Sequence, residues 1–241
     1  QLRGFMLRQP TLAQVGPAHV LDVFLLVDPL RADIHDLVEE QVMQAAEDFF
    51  ENRLPNFGTY EDAMRADESV LFHSKLSPYV NIGLLDPLAL VKEVERRYHA
   101  GQVEINHAEG FIRQVIGWRE YMHWQYQRLD LNLSEINYWG FTRSLPSCFW
   151  NGETEMRCMQ TVIKRVLGEG YAHHIERLML LSNFCLLAEI NPHEVYDWFS
   201  AMFIDAYPWV MVPNVYGMGL YADGGRVGSK PYLASANYIH K

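Results

Sequence analysis

Cysteine is scarce in this chain, three residues in 241, and none stands in Cys-x-x-Cys spacing. Cys148, Cys158 and Cys185 are too few and too scattered to define a disulfide framework or a complete metal site, so each is by default a small buried hydrophobe. Long apolar runs are missing as well. The longest, VFLLV at 23–27, is far short of the roughly 20 residues that cross a bilayer. The N-terminus shows no basic, apolar and small-residue order of the secretory kind, so the expected location is the cytoplasm, with no membrane partner. Basic residues are in deficit: 20 Lys and Arg face 30 Asp and Glu, a formal charge of -10. That balance excludes indiscriminate nucleic-acid binding, which needs cations along the phosphates. It leaves room for a local basic face, because acidic residues crowd between Asp28 and Glu68 while the last seventy residues are more even. Repeats, low-complexity tracts and βαβ alternation are also lacking, which removes solenoids and doubly wound sheets.

What is present is apolar and aromatic. Hydrophobic residues make up 49% of the chain, enough for a real core, and six Trp and thirteen Tyr supply flat surfaces suited to packing, a planar cofactor or a stacked base. Helical spacing of Ile34, Leu37, Val38, Val42, Ala45, Ala46, Phe49 and Phe50 predicts an amphipathic helix over 32–54, closed by Pro55. Leu90, Val91, Val94 and Tyr98 predict a second over about 87–100, stopped by Gly101. Further helices are predicted over about 108–127, 155–168, 172–188 and 192–204, the last with Asn191, Pro192 and Glu194 at N-cap, N1 and N3. Met156, Met159, Met179 and Met202 fall at helical positions and read as core. The fold class is mainly α. Residues 1–30 show no clear period and remain uninterpreted. After Trp209 the Gly-, Pro- and Tyr-rich run favours irregular backbone over long helices.

Paired histidines at the start of an apolar helix, in GYAHHIERLMLLSNFCLLAEINPHEVYDW (170–198), are the strongest chemical signal. Neighbouring helical residues diverge by about 100°, so His173 and His174 share a target only at the helix's first turn. Imidazoles there suit proton chemistry near neutral pH. The turn His73-Ser74-Lys75-Leu76-Ser77-Pro78 offers two hydroxyls three residues apart, a pattern that can face phosphate oxygens. Arg119 and Glu120, beside Trp118, read on their own as a surface ion pair.

In their joint order these segments resemble the cryptochrome/photolyase flavoproteins over about residues 31–241, and within them the bacterial iron-sulfur branch described as prokaryotic (6-4) photolyases. HSKLSPYVNIGLL is similar to the family's TSxLSPYLxxGxLS turn around the FAD phosphates, with Ser74 and Ser77 matching and His73 in place of the usual Thr. WREY at 118–121 resembles the WREF helix along the flavin, and Trp150, Gly152 and Thr154 resemble the approach to the lesion pocket. FWNGETEMRCMQ, YAHHIERLM and DAYPWVMVPNVYGM carry the resemblance to the branch.

That resemblance implies a helical FAD-binding domain that repairs UV-damaged DNA, (6-4) photoproducts in particular, by light-driven electron transfer. His173 and His174 would act at the lesion, and Trp118, Arg177 and Asp205 at the isoalloxazine. Trp198, Trp150 and Tyr238 would relay electrons. Cys158 matches the first of four cysteines around a [4Fe-4S] cluster, with the other three expected beyond Lys241. The family's N-terminal α/β antenna domain is not expected in this chain, and a C-terminal truncation is. The protein is expected to be a monomer, and a blue-light photoreceptor signalling through a partner is the alternative reading.

Overall fold

The computed structural model describes residues 30–129 and 135–239, with side chains from 38 and up to 238. The uninterpreted N-terminal segment lies outside the described residues except for Leu30. The chain divides into two compact units, residues 1–41 and 42–241, and the candidate site lies wholly in the second. Among the described residues the structure is helical, with isolated bridges Arg65 to Glu68 and Arg143 to Ile190 in place of strands. Among them, no helix is long and apolar enough to cross a membrane.

The predicted helices form, with boundaries set by local chemistry. Leu30–Asp48 is α-helical and runs on through a π-helical turn, Phe49–Arg53, and a 3-10 turn, Leu54–Asn56. Val42, Ala46, Phe49 and Phe50 are buried as their spacing requires, whereas Val38 is exposed. Pro87–His99 begins where the Asp86 carboxylate accepts a hydrogen bond from the Leu88 N–H at 3.0 Å, and Gly101 turns the chain away with φ +72°. Tyr98, predicted on its apolar face, is exposed, and the Arg97 stem is buried instead. Its guanidinium stacks on Phe50 and meets Glu47, Glu51 and Glu93.

Asn191 caps Pro192–Met202 by accepting from the His193 N–H. The reciprocal half of the expected capping box does not form. Glu194 accepts from the Leu145 N–H instead, and the Asn191 N–H donates to the Arg143 carbonyl. Met159 is core, as read, while Met156 is exposed because it lies just before the first turn of Arg157–Glu169.

The irregular backbone expected after Trp209 begins only after Gly219. Pro208–Met211 is helical and Val212–Gly219 continues as a π-helix. Tertiary burial of Met211, Val212, Val215, Tyr216 and Met218 outweighs the low helix propensity of Pro213, Gly217 and Gly219.

Two hydrophobic clusters organise residues 42–241. One gathers Phe49, Phe57, Leu90, Val94 and Phe111, and the other gathers Phe149, Ile163, Leu181, Trp198, Phe199 and Tyr216. The helices carry π-helical stretches at Arg113–Arg119, Glu176–Ser182 and Val212–Gly219, the last two contributing side chains to the second cluster. Such stretches are rare and concentrate at functional sites, because the wider turn resets which side chains face inward.

Candidate functional site

A cavity of about 650 Å³ opens along the seam of the two clusters, and each of those three π-helical stretches contributes to its wall. Trp118 and Arg119 come from the first, Arg177 and Ser182 from the second, Asn214 and Met218 from the third. Lys75, Arg113, Arg119 and Arg177 face Glu61, Asp62 and Asp205 there, so the wall is slightly cationic in an acidic chain.

Gly170 delivers the central segment. It ends Arg157–Glu169 in the left-handed region at φ +63°, where an added Cβ would stand 2.7 Å from Ile204 Cγ2. Its carbonyl accepts from the Ile204 N–H, which ties the chain entering the histidine helix to the residue before Asp205. Arg177 then donates to both Asp205 oxygens, at 2.8 and 3.0 Å, and through Nε to the Ala172 carbonyl at 2.6 Å, with its plane 4.1 Å from the Phe203 ring centre. Ser77 Oγ donates to Asp205 Oδ2 at 2.7 Å. Burial pushes the Asp205 carboxyl up, but Arg177 and Ser77 outweigh it and hold the group below its ordinary value. Asn81 joins the same corner, donating to the Asp205 carbonyl and accepting from Arg119, which also covers Trp209. Asn81, Arg119 and Trp209 were missed as a group because their link is tertiary. Only the placing of Asn81 one helical turn after Ser77 hinted at it.

The histidine pair divides. His174 lines the cavity, whereas His173 is buried behind the wall, its ring stacked on His73 at 4.2 Å and 10°. A shared target at the helix's first turn, the condition set by helical geometry, is not met. His173 Nδ1 accepts from the Glu176 N–H, so Nε2 carries the proton, and it lies 3.7 Å from Glu176 Oε2. The buried Glu176 pairs with Arg165 through its other oxygen. Burial raises the Glu176 carboxyl, and Arg165 offsets only part of that.

All three imidazoles are held neutral. Burial, then the neighbouring cations and imidazoles, lowers His73 to about 4 and His173 to about 2, and the desolvating protein around the solvent-accessible His174, together with Arg177, lowers it to about 4. The consequence for stability has a definite sign. The unfolded chain binds these protons near pH 6.5 and the folded one does not, so stability is whole above that pH and falls as pH falls below it. For the two enclosed rings, His73 and His173, the slope is about 1.4 kcal/mol per pH unit each, or roughly 2 kcal/mol each between pH 6.5 and 5. Glu176, raised, opposes part of this. Urea midpoints at pH 7 and 5 should differ accordingly, and His173→Gln should flatten the difference; equal midpoints would refute the neutral cluster.

Of the other predicted residues, Ser74 lines the cavity and its Oγ accepts from the Leu76 N–H at 3.4 Å. Tyr238, exposed in Ala236–Ile239, lines the cavity itself. Trp198 is fully buried and donates to the Phe149 carbonyl at 2.9 Å, with its indole edge-on to Phe149 and beside Phe199 on the cavity wall. Trp150, next to Phe149 in Cys148–Asn151, is exposed. Cys158 is half-buried with a free thiol, and among the described residues no three ligating side chains gather around a metal position.

Fold and site define a helical domain built around one aromatic, slightly cationic cavity, and comparison with known proteins gives the family. The chain is 49% identical over 193 residues to the (6-4) photolyase of Agrobacterium fabrum, a match covering 80% of this chain and 38% of that protein. Uncharacterized protein R855 of Acanthamoeba polyphaga mimivirus is 49% identical over 63 residues, 26% of this chain and 51% of that protein. In fold, the chain is similar to a bacterial class III photolyase from Agrobacterium tumefaciens, with TM-score 0.67 and 18% identity over 80% of this chain and 39% of that one. It is equally similar to a cryptochrome from Synechocystis, with TM-score 0.67 and 19% identity over 84% and 42%. No family model matches. The chain belongs to the photolyase/cryptochrome family, and corresponds to its helical C-terminal domain. It spans under two fifths of the length of the (6-4) photolyase it matches.

Proposed function

We propose that this domain binds FAD and repairs UV-damaged DNA, (6-4) photoproducts in particular, in the cytoplasm as a monomer. The observation that carries the reading is the convergence of His174, Trp118 and the Ser77–Asp205–Arg177 cluster on one cavity of dinucleotide size. The residues fit the cofactor: indole and phenyl faces suit a flat ring, the fixed carboxylate–guanidinium pair suits its polar edge, and Lys75 and Arg113 suit phosphates. FAD, when bound, supplies light absorption and the electron. Ser74, Ser77, Trp118, Arg177 and Asp205 would hold it, with Ser77 committed to Asp205 rather than free for phosphate.

The chain's own work is then positional and protonic. A damaged, poorly stacked base is the cheapest to flip into such a cavity. His174 meets it as a neutral imidazole, able to donate one N–H and to take a proton when a DNA phosphate nearby raises its basicity. His173 supports this from behind the wall.

Trp198 and Trp150 lie in inside-to-surface order as relay candidates, and Tyr238 would serve from the cavity wall. Trp198→Phe should slow flavin photoreduction at least about tenfold, and should cost about 1–3 kcal/mol by orphaning the Phe149 carbonyl. Photoreduction at the original speed would place the relay elsewhere. Cys158 would supply one ligand of a [4Fe-4S] cluster.

The test is to reconstitute the chain with FAD, record its visible spectrum, and illuminate it with an oligonucleotide carrying one (6-4) photoproduct or one cyclobutane dimer. Bound flavin with repair of the (6-4) lesion is expected. No flavin binding would overturn the proposal; photoreducible flavin without repair of either lesion would favour the signalling alternative.

A further inference from the structure

Because His173 is turned away, one imidazole of the predicted pair is absent from the cavity. The position beside His174 is filled by a residue from a distant turn. His73 lines the same cavity, half-buried, and its ring lies flat against His173 at 4.2 Å and 10°. Its Nε2 is enclosed and has no hydrogen-bond partner in the protein. The charged and titratable groups facing it are His174, Arg177 and the stacked His173. An enclosed donor or acceptor left unpaired costs about 1–3 kcal/mol; His173 Nε2 is unpaired too, but of the two stacked rings only His73 lines the cavity, where an external partner can meet it.

The backbone explains how the ring is aimed. Lys75, two residues on, is held at φ +56°, in the left-handed region that a lysine seldom adopts. Within these few residues Ser77, at the start of the helix Ser77–Asn81, reaches Asp205 while His73 reaches the histidine helix.

We infer that His73 is the second imidazole that contacts the lesion, working beside His174, and that His173 is a positioning residue whose ring face holds His73 in place. This rests on the function proposed above. It differs from a His173–His174 pair in which side chain touches the substrate. The stack also sets a limit on charge. Two imidazolium rings face to face repel, so His73 takes up a proton only while His173 stays neutral, as its burial keeps it.

The test compares His73→Gln and His173→Phe with the unsubstituted chain, all loaded with FAD. His73→Gln is expected to keep flavin and to lower repair per bound flavin at least about tenfold, with a changed pH profile. His173→Phe, which preserves a ring against His73, is expected to stay within about threefold. Independently of turnover, the labelled His73 ring should shift in NMR when lesion-bearing oligonucleotide is added in the dark, and the His173 ring should shift less. If His73→Gln repairs with the original rate and profile, or loses only flavin affinity, the inference is overturned and the proposed function stands. A larger loss in His173→Phe than in His73→Gln, with both variants melting near the original temperature, also overturns it. Failure of the unsubstituted chain to repair overturns the proposed function and this inference together.

Discussion

Replacing His174 with alanine is expected to abolish measurable repair, a loss of at least about 100-fold, while FAD stays bound and photoreduces at its original rate. General acid–base catalysis by a positioned side chain contributes about 10²–10⁴ in rate, and His174 is the imidazole of the helix pair that the cavity exposes. Its replacement removes no core contact, because the ring lies on the cavity wall and no ion pair or protein hydrogen bond depends on it. Stability should therefore change by less than about 1 kcal/mol, as for other exposed positions. The pH profile gives a second signature. In the free protein His174 is neutral down to about 4. Repair that depends on its protonated form should rise as pH falls from 8 toward 6, until loss of fold reverses the trend. Repair by the alanine variant at the original rate would remove His174 from the chemistry.

Much of this was legible in the sequence, and the parts that were not share a cause. Helices showed through because their apolar residues repeat every three or four positions, and caps such as Asp86 and Asn191 mark their ends locally. The cavity residues showed through motif order: Ser74, Ser77, Trp118, His174, Arg177 and Asp205 all reach one space. What failed was register within a helix. The pair expected to share a target divides, His174 on the cavity and His173 packed on His73 behind it, before the π-helical stretch Glu176–Ser182 begins. Val212–Gly219, whose glycines and proline read as loop, is helical because tertiary burial outweighs local propensity. Contacts between distant turns were beyond any local pattern. His73 on His173, Asn81 on Arg119, and Glu176 on Arg165 are each settled by packing rather than spacing.

Asp205→Ala is expected to destabilise the domain by about 3–5 kcal/mol and to lose FAD, because it leaves a buried guanidinium without its counter-charge. Arg177 is only 15% exposed at its side chain, and Asp205 6%. Without the carboxylate, Arg177 keeps the Ala172 carbonyl and the face of Phe203, and Ser77 loses its acceptor. The Asn81 link survives, since it uses the Asp205 backbone carbonyl. Asp205→Asn separates shape from charge: it keeps one acceptor oxygen and the volume, so a smaller loss should remain, and that remainder measures the charge pairing.

The pH dependence distinguishes this pair from the histidine cluster. Asp205 is held below its ordinary value of 3.8, so its stabilisation is present above that pH and is lost only as pH falls further. The penalty of Asp205→Ala should consequently be the same at pH 7 and pH 5, on top of the loss both proteins share through His73 and His173. Urea unfolding at the two pH values reads both effects at once. A penalty under about 1 kcal/mol, or one that shrinks by half between pH 7 and 5, would show that Arg177 finds its counter-charge elsewhere, and the fixed polar edge of the cavity would have to be abandoned.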